Sequence, residues 1–254
     1  MKITFLGTGT SQGIPLIACS CPVCQSGNSK DKRLRSSIMI EENGHVYVID
    51  TGPDFRYQML RENVKRLDAV IFTHEHKDHI AGFDDIRAFN YVLKKKINVY
   101  ATSRVQGAIR REFAYIFDTI KYPGIPEINL HTIDSIPFMI DSTRFTPIEL
   151  MHSKLPVLGF RIHDFTYITD ANSISEAEKE KIKGSKVLVL NALRRELHIS
   201  HFTFDQAIEL AKELKAEKTY FTHISHQLGL HAEVERELPE GISLAWDGLK
   251  LELN

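Results

Sequence analysis

Apolar and polar residues alternate with a period of two through KITFLG (2–7), and again through SSIMIEE (36–42) and HVYVID (45–50). That period places successive side chains on opposite faces of a strand. The last two runs flank Asn43-Gly44, a pair that predicts a hairpin. AVIFTH (69–74) is a short unbroken apolar run and predicts a buried strand ending at a histidine. NVYAT (98–102) predicts another. The middle of the chain is strand-rich, with PFMID, RFTPIELMH, LGFRIH and FTYITD, and VLVLNAL (187–193) and KTYFTHIS (218–225) follow. LAWDGLKLEL (244–253) closes the chain with a hairpin-like Asp247-Gly248. Helical spacing is clearest in TFDQAIELAKEL (203–214), apolar at 204, 207, 208, 211 and 214. Asp54 is a candidate cap for a helix to about Val64, and Ser103 for one to about Phe117. A helix is also expected after residues 74–79, to about Leu93, and KYPGIPEI (121–128) reads as loop.

These elements divide into two strand-rich halves, roughly 1–145 and 146–254, with helices in each. The expectation is a two-sheet sandwich with helices outside, built as one domain over 1–254, although the pattern alone does not choose it over another α/β fold. Composition adds limits. With 43% hydrophobic residues, a chain of 254 can bury a substantial core without staples. Its 32 Lys and Arg balance 33 Asp and Glu, a net charge of −1 that argues against a polynucleotide or an anionic membrane as partner. No apolar run approaches the ~20 residues of a membrane span, and the start MKITFLGTGTSQGIP does not read as a signal peptide. A cytoplasmic location is expected, and a homodimer is compatible with the sequence.

The chemistry concentrates in Thr73-His74-Glu75-His76-Lys77-Asp78-His79. Four potential ligands fall within six residues just after a strand, where a loop can turn them toward one point. Imidazoles and a carboxylate suit zinc, manganese or iron. A single buried histidine is usually structural; four together are not. The three cysteines, Cys19, Cys21 and Cys24, are an odd and tightly clustered set. They make a poor disulfide framework and a plausible metal site, the plain alternative being reduced thiols in a loop.

The HxHxDH pattern of residues 74–79 resembles the metallo-β-lactamase superfamily, and the resemblance runs along nearly the whole chain. His152 after RFTPIELM, Asp170 ending FTYITD and His223 after KTYFT stand where that family places its remaining ligands. The resemblance implies a four-layer αβ/βα sandwich, with two mixed β-sheets inside and helices outside. It implies one metal on His74, His76 and His152, a second on Asp78, His79 and His223, and Asp170 bridging both. Asp50 in VIDTGPD matches the early aspartate that supports the histidine loop, though it serves equally to start the turn at Thr51-Gly52. Two such metals, zinc or manganese, sit about 3.5–4 Å apart and share a water that becomes the attacking hydroxide. Asp78, as ligand, then belongs to the catalytic machinery.

Within the superfamily, the three cysteines with His226, together with GTGTSQGIP, DTGPDFRYQ and LPEGISLAWDGLKLEL, look like one branch: the phosphoribosyl 1,2-cyclic phosphate phosphodiesterases. That branch implies a structural zinc on Cys19, Cys21, Cys24 and His226. It also places an acid/base histidine before the helix at Thr203, which corresponds to His201, with His198 as the less favoured substitute. A plain role beside the helix start is the alternative for His201. The implied activity is metal-dependent hydrolysis of a small, cyclic phosphodiester such as phosphoribosyl 1,2-cyclic phosphate. The competing expectations are a tRNA 3′-end-processing ribonuclease, for which a long basic Gly/Pro-rich arm is lacking, and a non-catalytic, metal-stabilised binding protein.

Overall fold

In the computed structural model the described residues are 1–120 and 122–253. Lys121 and Asn254, at the edges of two expectations above, lie outside them. The strands form two mixed sheets. The first contains β1 (Lys2–Gly7), β2 (Ser37–Glu42), β3 (His45–Ile49), β4 (Ala69–Ile71), β5 (Ile97–Ala101) and β6 (Ile128–Thr132). The second contains β7 (Phe138–Ile140), β8 (Thr143–His152), β9 (Leu155–Ile162), β10 (Phe165–Tyr167), β11 (Ser173–Ile174), β12 (Val187–Asn191), β13 (Lys218–Thr222) and β14 (Ile242–Leu244). The last strand, β15 (Lys250–Glu252), crosses back to the first sheet and pairs antiparallel with β1. The helices are α1 (Pro22–Gln25), α2 (Phe55–Arg61), α3 (Lys77–Ile80), α4 (Arg87–Leu93), α5 (Ser103–Glu112), α6 (Glu176–Ile182), α7 (Phe204–Leu214) and α8 (His231–Val234).

Alternation along the strands produces the layers. Tyr47 and Ile49 of β3 face Phe145, Phe160 and Tyr167 of the other sheet, forming the central core. Val48, between them, faces outward onto Phe55, Met59 and Phe89 of α2 and α4. The second sheet mirrors this. Val189 of β12 points to the central core, while Leu188 and Leu190 pack on Phe204, Ala207 and Leu214 of α7. Each fully buried large apolar side chain contributes about 1.5–3 kcal/mol, so both faces of each sheet are committed to packing. The fold is the metallo-β-lactamase sandwich, helices outside and two mixed sheets inside. Among the described residues no helix is long and apolar enough to cross a membrane.

Several local expectations are corrected. The division at 145/146 cuts through β8, and β15 belongs with the first half. Asp247-Gly248 is therefore no hairpin: β14 and β15 lie in different sheets, because Gly248 N donates to Phe5 O and Phe5 N to Leu249 O. Asp54 precedes α2 without capping it through its side chain. Its carboxylate instead accepts from Arg35 N and holds the Arg35 guanidinium. Thr102, not Ser103, caps α5 by accepting from Val105 N. The helix expected after residues 74–79 is broken: α3, a 3-10 turn over Phe83–Ile86, then α4. Strand β6 was hidden in a stretch read partly as loop, and α6 was not foreseen.

Candidate metal centre

Most of the ligand candidates stand just beyond the C-terminal ends of strands, the end at which open α/β sheets present their binding crevices. Asp50 follows β3, Asp170 follows β10 and His223 follows β13, and all three have positive φ, at 65°, 56° and 56°. For a residue with a Cβ this left-handed conformation costs about 1–3 kcal/mol and clusters at functional sites. Here it swings each side chain out of the strand's alternation. Asp50 then binds the histidine loop from below: its carboxylate accepts from Thr73 N (2.9 Å) and Thr73 Oγ1 (2.8 Å) and lies 2.7 Å from His79 Nδ1. Its supporting role is thus visible in the geometry. The loop is fastened to its neighbours as well. Leu158 N of β9 donates to Thr73 O, tying the two sheets together there, and Thr51 N donates to His79 O. At Gly52 the two loops pass so closely that a Cβ would lie 2.1 Å from Asp78 O.

The sequence-expected ligands converge. Single donor atoms from His74, His76 and His152 lie within 4.8 Å of one another, as do those from Asp78, His79, Asp170 and His223. Asp170 also groups with His152 and His201. It stands between the sets, with Oδ2 3.2 Å from both His79 Nε2 and His223 Nδ1, and Oδ1 3.9 Å from His201 Nδ1. His152 donates Nδ1–H to Ser200 O at 2.8 Å, which leaves its Nε2 lone pair free. His201 stacks on His223 at 4.8 Å between ring centres and lies 4.6 Å from His152. His198 is 5.0 Å from His201 on the outer side, and Ser200 Oγ lies 3.2 Å from its Nδ1. His226 Nδ1 lies 3.3 Å from Cys21 Sγ and 3.5 Å from Cys19 Sγ, so the cysteine set also comes together with its expected fourth member.

These residues fit metal ions on their own chemistry. His79 Nε2 is buried and has no hydrogen-bond partner, although two carboxylates face it. Burial alone would lower the pKa of His79. The charges of Asp170, Asp78 and Asp50 override this and hold it well above its ordinary value, because the pocket around its Nε2 is negative and favours a cation. His74 goes the other way: burial, then the His79 charge, hold it well below its ordinary value. Its Nε2 meets His76 Nδ1 at 3.0 Å. A ring kept neutral at His74, beside carboxylates kept charged at Asp78 and Asp170, is a donor set for a divalent ion. Burial, with His223 next, also pushes the His201 pKa down to about 3 against the pull of Asp170. Without a metal the ring is then neutral at pH 7. In the cysteine set, His226 and the Cys24 N–H lower Cys21 to about 6, while burial raises Cys24 to about 11.

A profile of the beta-lactamase superfamily domain matches residues 45–224. The chain belongs to this superfamily. An octanoyltransferase of Porphyromonas gingivalis is 38% identical over 253 residues, covering 98% of this chain and 51% of that protein. A ribonuclease Z of Lactococcus lactis is 24% identical over 186 residues, covering 70% of the chain and 55% of that protein. The chain spans about half the length of these curated relatives. The crystal structure of a new diphosphatase from the PhnP family superposes with a TM-score of 0.94 at 40% identity, covering 100% of this chain and 98% of that one. This likeness bears out the branch as well as the superfamily fold.

Apart from Asp50, the residues that hold the ligands were missed by sequence reasoning. Thr10 Oγ1 lies 3.3 Å from His223 Nε2 and Ser36 Oγ 3.2 Å from its Nδ1, while Thr169 Oγ1 donates to Asp170 Oδ2. Thr10 and Ser36 sit 213 and 187 positions away from their partner. No spacing signal spans such distances.

Proposed function

We propose that this chain hydrolyses a P–O bond in a small phosphorylated molecule, with a cyclic phosphodiester such as phosphoribosyl 1,2-cyclic phosphate as the first candidate. The observation that carries the reading is the convergence of His74, His76 and His152 on one side, and Asp78, His79 and His223 on the other, around Asp170 and beside His201. In this reading His74, His76 and His152 would hold one divalent ion, zinc or manganese, and Asp78, His79 and His223 a second, with Asp170 standing between the two donor sets. Such ions, when bound, supply Lewis acidity toward water and phosphoryl oxygen. The chain's own residues do the rest. Asp50 and Ser200 O fix the rings of His79 and His152. Thr10 and Ser36 bracket His223. His201 stands as neutral imidazole with Nδ1 buried and unpartnered, so it can donate an N–H to a phosphoryl oxygen. It can equally take the proton lost by the attacking water and return it to the leaving oxygen. One P–O bond to the leaving group breaks, one forms to water, and the proton ends on the departing alkoxide.

The diphosphatase likeness favours a second substrate class, a diphosphate whose P–O–P bridge is cut. The chemistry differs in the leaving group: a phosphate departs more easily than an alkoxide. A ribonuclease reading draws only on relatives such as the one 24% identical, and the net charge of −1 does not favour a polynucleotide. The octanoyl activity named for the longer relative is not brought to this chain, which matches about half of it. Cys19, Cys21, Cys24 and His226 would hold one structural zinc, and thiols in that state suit a reducing, cytoplasmic setting.

The test is a substrate panel after defined metal loading: a cyclic ribose phosphodiester, bis(p-nitrophenyl) phosphate, a dinucleoside diphosphate and a precursor tRNA. Turnover of the cyclic diester above the others is expected. Preference for the dinucleoside diphosphate would move the assignment to the second class. Cleavage of precursor tRNA alone would overturn both, and no turnover at full metal occupancy would favour a binding protein.

A further inference from the structure

We propose that α5 is a clamp that positions His76, gripping the histidine loop through Glu75–Arg104 and Lys77–Glu112; the inference rests on the metal-centre reading. Among the proposed ligands His76 stands apart. His74, His79, His152, Asp170 and His223 are buried, whereas His76 is exposed. Its ring meets His74 Nε2 at 3.0 Å and lies 5.0 Å from the ring of His152, but no packed core surrounds it. Its flanking residues supply what the core does not. Arg104 Nε donates to Glu75 Oε1 at 2.5 Å, and Lys77 Nζ donates to Glu112 Oε2. The Glu75 side chain is only 16% exposed and its Oε2 is buried without a partner. It is therefore held in place by the one pair it makes.

The two grips use opposite ends of one rigid bar. Arg104 is in the first turn of α5 and Glu112 is its last residue, eight positions on, or about 12 Å along the axis. The bar itself is fixed to the sheet by Val105, Ala108 and Ile109 and started by the Thr102 cap. The polarity of the pairs is reversed, acid to base at one end and base to acid at the other. A slip of the loop along α5 would set Lys77 against Arg104 or Glu75 against Glu112, so the pairing fixes register as well as distance. Arg104 and Lys77 are 59% and 69% exposed, and such pairs add little to global stability. Their effect is local: they hold residues 75 and 77, and so confine the backbone between them. Arg104 and Glu112 are positioning residues, acting on the first metal through His76.

The experiment is cobalt(II) titration of the full chain, following absorption and metal content, for wild type, Arg104→Met, Glu112→Gln and the swap Glu75→Arg with Arg104→Glu. Arg104→Met and Glu112→Gln should each weaken the site containing His76 by about tenfold, the lower end for residues that support a ligand indirectly. The site of Asp78, His79 and His223 and the melting temperature should not change. The swap should recover most of the lost affinity. Removing a comparable exposed pair, Lys212–Glu209 on α7, with Lys212→Met should leave both sites alone. Unaltered affinity and spectrum in both Arg104→Met and Glu112→Gln would overturn the clamp. Equal weakening of both metal sites, or a lowered melting temperature with no recovery in the swap, would overturn it in favour of a general structural role. A wild-type chain that takes up no cobalt at the histidines would instead overturn the metal-centre reading.

Discussion

The histidine–aspartate cluster and the cysteine cluster share one segment, residues 223–226, yet they are held by opposite means. Asp50 and His223 follow directly on strands of two packed sheets, Asp170 follows a third strand within three residues, and most of the cluster is buried. Its orienting hydrogen bonds come from other parts of the same framework: Asp50 to His79, Ser200 O to His152, Ser36 to His223. The cysteines sit on a largely irregular loop between β1 and β2, with Cys19 and Cys21 partly exposed and only the four-residue α1 and a 3-10 turn over Ser29–Asp31 for regular structure. Their satellite core is small: Ile14, Val23 and Cys24. The first site is thus shaped by the fold itself, while at the second the proposed zinc would be the main cross-link. The two are joined at Ile224, which pairs with Gly9, and at Thr10, which reaches His223. Loss of order in the cysteine loop is therefore expected to reach His223 and not the other candidate ligands.

Asp170 gives the largest expected contrast. Charge stabilisation by a paired metal site is worth several kcal/mol, and at about 1.4 kcal/mol per decade this makes Asp170→Asn about 10⁴-fold slower. Far-ultraviolet circular dichroism should be unchanged, because the sheets build the site. Unfolding of this variant would break the contrast, by showing that the histidine cluster also needs its metals to fold.

Next is His201. His201→Ala should slow alkyl diesters by about 10²–10⁴-fold, with both metals retained on analysis. A diphosphate or nitrophenyl diester needs less protonation of its leaving group and should lose much less. An equal loss on all three would assign His201 to charge stabilisation or positioning. No loss on alkyl diesters would move the search to His198.

Cys21→Ser sharpens the comparison from the other side. Zinc should be lost, the melting temperature should fall, and proteolysis should begin within residues 11–32, since binding energy at such a site is folding energy. Through Thr10 and His223, affinity for the second catalytic metal should fall about tenfold while the His74 site is kept. Retention of zinc in this variant would remove the cysteines from the account.

The smallest effect is a reactivity difference. In metal-free protein Cys21, held down to about 6, is mostly thiolate at pH 7, and Cys24, raised to about 11, is not. The thiolate is the reactive form. Iodoacetamide should label Cys21 first, with a rate that is steady above its pKa and falls as pH drops through about 6. Zinc should protect both. Faster labelling of Cys24 at pH 7 would contradict the arrangement.

The contrast also explains what could be read from the sequence. Ligands crowd into six residues at 74–79 and into 19–24, so local spacing announces both sites. Alternation announced β1, β2 and β3, while the layered arrangement followed from the resemblance. Strand β6 escaped because INLHT is a short edge strand whose packed face, Ile128 and Leu130, is only half-buried, and it directly follows a Pro/Gly-rich stretch. Helix α6 escaped because EAEKEKI has a single buried aliphatic, Ile182, and so carries no apolar stripe. Asp247-Gly248 misled because the turn chemistry is local, whereas the choice of sheet is made by Phe5, more than 240 positions away. Left-handed conformations at Asp50, Asp170 and His223 have no sequence signature at all. They are imposed by the packing that brings three strand ends to one point.

Metal content and turnover, followed together through stepwise chelation of the loaded chain, test the central claim most directly. Three metal ions per chain are expected at the start. Two should leave first, with turnover of a phosphodiester or diphosphate substrate falling in step and the melting temperature nearly constant. The third, a zinc, should leave last, with the melting temperature falling as it goes. Full turnover in a chain stripped of the first two metals, or a loaded chain that never holds more than one, would contradict the account.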